Sequence, residues 1–203
     1  SVLERYRGGV WIAGYNFTFG RGAEGDADYL RVYAAAHGVQ CCILQKMEQG
    51  GNAISSTRIR AAVRAGDMPL AEELLGRPYS IAGEIVHELE VGRKLGFPTA
   101  NLYAAPGKLI PPLGVYIARL RLENGESYCG ITNIGRRPTL HNGMDISVET
   151  NLLNFAGDLY GEQVEVELLE FVRPERPFSD LTELRAAIAA NRRQAAAYFE
   201  NAE

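Results

Sequence analysis

The spacing of apolar positions changes character about a third of the way along the chain. Upstream, apolar residues come in short runs and helical stripes. Val10-Trp11-Ile12-Ala13 ends at Gly14 and predicts a buried strand. Asp26 is placed to cap a helix running to Gly38, and Val39 to Leu44 reads as a second strand. Ser55 or Ser56 opens a helix that Gly66 closes, and Asp67 with Pro69 opens another that stops at Gly76. This β-α-β-α-α order predicts parallel strands covered by helices.

From Tyr79 onward the period shortens to two. Tyr79, Ile81, Gly83 and Ile85 alternate with Ser80, Ala82 and Glu84. Val115 to Leu122 and Glu126 to Ile134 flank a Glu-Asn-Gly turn, and Val164, Val166 and Leu168 alternate with glutamates. These are expected to be antiparallel strands with one wet face. Asp180 caps a long helix with Glu183 three residues on, and Leu181, Leu184, Ile188, Ala195 and Phe199 form its apolar stripe. A small closed barrel with this helix packed outside would leave no strand edge open. The change of texture puts the boundary near Gly76-Arg77-Pro78, giving two domains, residues 1–75 and 76–203.

Composition narrows the class without choosing a function. The 203 residues are 46% hydrophobic and 23% charged, ordinary for a packed protein of one large or two modest domains. A net charge of -4 gives no general attraction to nucleic acid or anionic lipid, so any phosphate site must be local and no nucleic-acid partner is expected. No run approaches a membrane span and no signal pattern opens the sequence, so a cytoplasmic protein is expected. Cys41, Cys42 and Cys129 read as small buried thiols; neighbouring strand residues point to opposite faces, which makes Cys41 and Cys42 poor joint ligands. His37, His87 and His141 show no metal spacing, and Trp11 and the tyrosines read as core.

Two places carry candidate chemistry. In Gly92-Arg93-Lys94-Leu95-Gly96-Phe97-Pro98-Thr99-Ala100-Asn101, glycines let backbone N–H groups approach a phosphate and two cations balance its charge. Thr99 and Asn101 offer oxygens to a hard metal. Mg²⁺ with ATP suits such a loop, which is not a Walker sequence and precedes a strand rather than a helix; the spacing alone also fits a tight surface turn. Glu149, in a strand-like segment, has the chemistry of a base for a substrate hydroxyl, although an alternating strand also turns many glutamates to water.

Those residues, with several other segments in order, resemble the riboflavin kinases. The segments are Leu75-Gly76-Arg77-Pro78-Tyr79, Gly114-Val115-Tyr116, Asn133 to Thr139, Val148-Glu149-Thr150, Gly157 to Gly161, and Arg173-Pro174-Glu175 followed by Phe178. The resemblance spans residues 75 to 203 and implies a six-stranded antiparallel β-barrel with a C-terminal helix. It implies transfer of the ATP γ-phosphate to the 5′-hydroxyl of riboflavin, giving FMN. Gly92, Arg93, Lys94, Gly96, Pro98, Thr99 and Asn101 would bind ATP, with Thr99 and Asn101 holding Mg²⁺. Glu149 would be the general base, and Arg173 and Glu175 would lie beside the flavin.

The upstream third resembles the adenylyltransferase of the bacterial bifunctional riboflavin kinase/FAD synthetases, a Rossmann-like nucleotidylyltransferase. Ile54-Ser55-Ser56-Thr57-Arg58 is similar to its triphosphate motif, and Gly14 to Gly20 to its flavin-side segment. Hydroxyls, an arginine and N–H groups at a helix start suit an anion, and equally suit simple capping. The His-x-Gly-His motif of that domain is absent, so residues 1–75 are expected to be its later part, with adenylyl transfer absent or crippled and exposed apolar surface favouring self-association or partial disorder. Glu88, Asn151 and Asn16 depart from the family's usual Gly, His and Asp. Glu88 is expected to point outward, with kinase activity surviving at a reduced or normal level. The competing expectation is a flavin- or nucleotide-binding module without catalysis.

Overall fold

The computed structural model describes residues 9–86, 99–138 and 144–201. The chain divides into two compact units, residues 1–55 and 56–203.

In the first unit, β1 (Val10–Gly14) and β2 (Gln40–Leu44) pair in parallel, Val10 opposite Gln40 and Gly14 opposite Leu44. Between them runs α1 (Ala27–Ala36), which starts where the Asp26 carboxylate accepts the Tyr29 N–H at 2.7 Å. It ends at His37, whose Nδ1 lies 2.8 Å from the Tyr33 carbonyl. A hairpin of β3 (Glu48–Gln49) and β4 (Asn52–Ala53) follows, turning on Gly50 and Gly51 at φ 59° and 74°, values an L side chain resists. Strands this short show no alternation, and the sequence reading had none there.

The parallel pairing agrees with the sequence, but the expected burial of β1 does not hold. Trp11 is half-buried and stacks on Tyr33 of α1, whereas Ile12, on the opposite face, is 68% exposed. One helix covers one face of a sheet; the other face stays open. The thiols differ from expectation for the same reason: Cys42 shares the open face and is exposed, and Cys41 and Cys129 are only half-buried, all three being free.

The second unit begins with α2 (Ser56–Ala65) and α3 (Met68–Leu75). Asp67 caps α3 by accepting the Leu70 N–H at 3.1 Å, and Gly76 ends it in the left-handed conformation. Their apolar faces, Ala62, Val63 and Ala71, pack against Leu70, Tyr79 and Leu109, and Met68 is buried in the core of the sheet that follows. The compact units therefore divide upstream of the change in texture at Gly76.

The sheet comprises β5 (Tyr79–Glu84), β6 (Thr99–Tyr103), β7 (Gly114–Leu122), β8 (Ser127–Pro138), β9 (Met144–Leu152) and β10 (Gln163–Pro174). Its order is β5-β10-β7-β8-β9-β6, every pairing antiparallel. It curls until its edges meet at a bridge from Val86 to Asn101, the Val86 N–H donating to the Asn101 carbonyl at 2.8 Å. Alternation then sorts the side chains. Ile81, Leu102, Tyr116, Leu120, Ile134, Val148, Val166 and Leu168 fill the interior, each essentially inaccessible.

On the outer face, Val115, Ile117, Ile131 and Leu169 receive α4 (Leu181–Glu200) through Ile188, Ala195 and Phe199. The cap of α4 is as expected: the Asp180 carboxylate accepts the Glu183 N–H at 2.8 Å, and Glu183 accepts from Ser179. Leu181, assigned to the buried stripe, is 62% exposed, because the first turn lies beyond the patch the helix covers. The outer face is not uniformly wet either. Glu167 is buried there and paired with Arg119 and Arg121 at 3.4 and 3.1 Å.

Candidate functional site

Curling the sheet lines up three rows of residues across β6, β9 and β8 on the outer face. Asn101, Glu149 and Asn133 form the middle row; Thr99, Asn151 and Ile131 lie on one side of it, and Tyr103, Ser147 and Gly135 on the other. Strand alternation puts all nine on the face opposite the apolar interior. Sequence distance hides this: Thr99 and Asn101 lie some fifty positions from Glu149, and the antiparallel β6–β9 register sets Asn101 directly opposite it.

Over these rows lies a cavity of about 330 Å³, walled by α4 and the segment that follows β10. Its lining mixes apolar side chains, Val115, Ile131, Phe178, Leu184 and Ile188, with the polar Glu149, Asn133, Ser147 and Arg137. Glu149 is ion-paired, its Oε1 2.6 Å from Nη2 of Arg137.

Arg173 and Glu175 bound the same cavity. The Arg173 Nε and Nη2 groups donate to Asn191 Oδ1 at 3.3 and 3.2 Å, and its guanidinium lies 5.6 Å from the Phe178 ring centre. Burial, and then the neighbouring charge of Arg176, hold the Arg173 pKa below the usual arginine value. Glu175 Oε1 accepts from Asn133 Nδ2 at 3.2 Å. It leans over Gly135, where a Cβ would come within 2.5 Å of that oxygen, so glycine there makes room for the carboxylate. Asn151 accepts from Nη1 of Arg192, which also donates to the Leu152 carbonyl at 2.9 Å.

Two buried oxygens stand out chemically. Asn101 Oδ1 and Ser147 Oγ have no hydrogen-bond partner among the described residues, although Asn101 is 9% and Ser147 2% exposed. Leaving such groups unpaired costs about 1–3 kcal/mol each. An amide oxygen of this kind is what a hard cation such as Mg²⁺ takes, and Thr99 lies one strand position away on the same face. Among the described residues no group of three or more His, Cys, Asp or Glu is placed to hold a metal ion.

Of the residues named from sequence, Thr99, Asn101, Glu149, Arg173 and Glu175 come together in this region. Gly92, Arg93, Lys94, Gly96 and Pro98, with Glu88, His87 and His141, lie outside the described residues. Ser55 precedes α2, and Ser56, Thr57 and Arg58 form its first turn, where Ser56 Oγ accepts from Arg60 at 3.2 Å. None of these four lines the cavity. Sequence reasoning missed Asn133, Arg137, Ser147, Asn191 and Arg192 as individuals. The one available signal was Asn191, a polar residue on the otherwise apolar face of α4.

A carboxylate ion-paired with an arginine beside two unpartnered oxygens defines a charged, polar site, and comparison with known proteins supplies the family. The family model for riboflavin kinase matches residues 75–199, and that for FAD synthetase matches residues 2–58. The chain belongs to the riboflavin kinase family. It is 35% identical over 192 residues to the bifunctional riboflavin kinase/FMN adenylyltransferase of Listeria monocytogenes, covering 95% of this chain and 60% of that protein. It is 39% identical over 198 residues to the protein of the same name from Escherichia coli, covering 98% and 63%. The chain thus spans about 60% of the length of the curated relatives it matches. Among solved structures, one described as a macrolide-efflux protein from Streptococcus pneumoniae superposes with TM-score 0.79 at 30% identity, covering 92% of this chain and 60% of that one. No helix among the described residues is long and apolar enough to cross a membrane.

Proposed function

We propose that the chain is a riboflavin kinase whose reaction takes place in the outer-face cavity, transferring the γ-phosphate of ATP to the riboflavin 5′-hydroxyl. The observation that carries this is a cavity in which Glu149 shares the lining with apolar side chains, Ile131, Ile188 and Phe178 among them. A flavin ring is apolar and planar, and its ribityl chain ends in the hydroxyl to be phosphorylated. With the ring between Ile131 and Ile188, near Phe178, the chain points toward Glu149. Arg173 and Glu175 then flank the flavin.

The 5′-oxygen attacks the γ-phosphorus as the bond from that phosphorus to the ADP oxygen breaks. Glu149 accepts the hydroxyl proton, so the nucleophile gains charge only as it is consumed. Thr99 and Asn101 would hold Mg²⁺, which when bound neutralises phosphate charge. Gly92, Arg93, Lys94, Gly96 and Pro98 are the further ATP-binding candidates. The catalytic unit is proposed as residues 76–203, with α2 and α3 as packing partners rather than contributors to chemistry.

Incubating the chain with riboflavin, ATP and Mg²⁺ and separating flavins by chromatography should give FMN. Flavin binding without product would favour the non-catalytic module instead. If Glu88→Gly turned over while the wild type did not, the outward orientation of Glu88 would be wrong. FAD in the same chromatogram would report adenylyl transfer, an activity named for the relatives; residues 2–58 and Ser55, Ser56, Thr57 and Arg58 are its candidate seat. Self-association is proposed through the open face of β1 and β2, readable as concentration-dependent sedimentation. A cytoplasmic location suits the ATP and riboflavin substrates.

A further inference from the structure

Arg137 is far from Glu149 along the sheet. It sits opposite Asp145, four residues before Glu149 on β9, an offset of about 13 Å at the usual strand rise. The 2.6 Å ion pair therefore requires both side chains to stretch along the strands toward each other. The row between them is Gly135 and Ser147, both small; the Glu175 carboxylate lies over Gly135. A long arginine committed to a carboxylate that must act as a base is unexpected as a resting arrangement, because a bound cation makes the carboxylate a poorer proton acceptor.

The arrangement makes sense once a triphosphate is present. The attacking oxygen must lie within hydrogen-bond reach of Glu149, and the phosphorus about 3 Å beyond it. The γ-phosphate is then only a side-chain rotation away from the Arg137 guanidinium. The other cations at the cavity are engaged elsewhere: Arg173 with Asn191, and Arg176 with Glu183 at 2.7 Å. Arg136 also borders the cavity, but the ion pair places Arg137, not Arg136, at the carboxylate. Of the nearby carboxylates, Glu175 lines the cavity and Asp145 lies opposite Arg137 on β9, and neither would attract a phosphate.

We propose that Arg137 is a catalytic residue that contacts the transferring phosphoryl group: it rests on Glu149 and turns to the γ-phosphate when ATP is seated, releasing the carboxylate to take the hydroxyl proton. The inference rests on the kinase reading above. It gives Glu149 a partner that leaves only when the second substrate has arrived, and it places a planar fork of N–H donors on the oxygens that carry transition-state charge.

The test compares affinities for the β,γ-imido analogue of ATP and for ADP, each with Mg²⁺, in wild type, Arg137→Ala, Arg137→Gln and Arg137→Lys. A γ-phosphate contact predicts that Ala and Gln weaken analogue binding by about ten- to a hundredfold with ADP binding unchanged, and that Lys restores part of the loss. FMN formation should fall in the same order. Equal losses for ADP and the analogue, or no loss for either, would overturn the assignment, since a purely structural arginine does not distinguish them. Riboflavin binding by each variant checks that the site is folded, and the Gln variant keeps the comparison available if the Ala variant is unstable. Absence of FMN from the wild type would sink the kinase reading itself. FMN from the wild type with unaltered analogue/ADP discrimination in the variants would sink only the role of Arg137.

Discussion

The two units bury their apolar residues to very different extents. In the first, Ile12, Val32 and Met47 are 68%, 67% and 70% exposed, whereas in the second Ile81, Val166 and Leu168 are wholly inaccessible. Both begin from similar material, β-branched and aliphatic residues at strand spacing. The difference lies in closure. A two-stranded parallel sheet with one helix has an uncovered face, and parallel sheets are ordinarily covered on both. The six-stranded sheet curls until its edges meet, hides its inner face, and covers part of its outer face with α4. The second kind of surface sets a carboxylate, an amide and an arginine in a fixed register, and the candidate site is there.

The largest expected effect tests that contrast through chemistry. Glu149→Gln should lower kcat for FMN formation by about 10²–10⁴-fold while ATP affinity changes little. Steady-state kinetics with a nucleotide titration reads both, and an unchanged kcat would remove Glu149 from the mechanism. Next is the interior. Leu168→Ala should destabilise the second unit by about 2–5 kcal/mol, measured by denaturant unfolding, because a rigid closed sheet relaxes poorly around a cavity. Asp180→Ala removes the α4 cap and should cost about 1 kcal/mol, with weaker flavin binding because Leu184, Ile188 and Asn191 of α4 line the cavity. Smallest of all, Ile12→Thr on the open face should alter stability by no more than about 0.5 kcal/mol. A loss as large as that from Leu168→Ala would mean that the open face is covered in solution.

Much of the architecture was legible from period alone. The alternation at Ile81, Val164, Val166 and Leu168 gave the strands and their inner face, and Asp180 with Glu183 gave the start of α4. What period could not show was partnership. Alternation assigned the glutamates of β10 to water, yet Glu167 is buried and paired with two arginines of the neighbouring strand, a tertiary fact. Likewise the texture broke at Gly76, but Met68 reaches into the sheet core, so α2 and α3 join the second unit. At the site, Thr99, Asn101 and Glu149 were readable because each lies in a family motif. Arg137 lay in a quoted segment without a role, since its meeting with Glu149 depends on strand register and an extended rotamer, neither of which has a sequence signature.

The most direct measurement is a crystal structure of the chain with riboflavin and the β,γ-imido analogue of ATP. The account predicts the flavin ring against Ile131 and Ile188, with the ribityl 5′-hydroxyl within hydrogen-bond reach of Glu149 and facing the γ-phosphate. A flavin bound outside this cavity, or one whose terminal hydroxyl points away from Glu149, would contradict it.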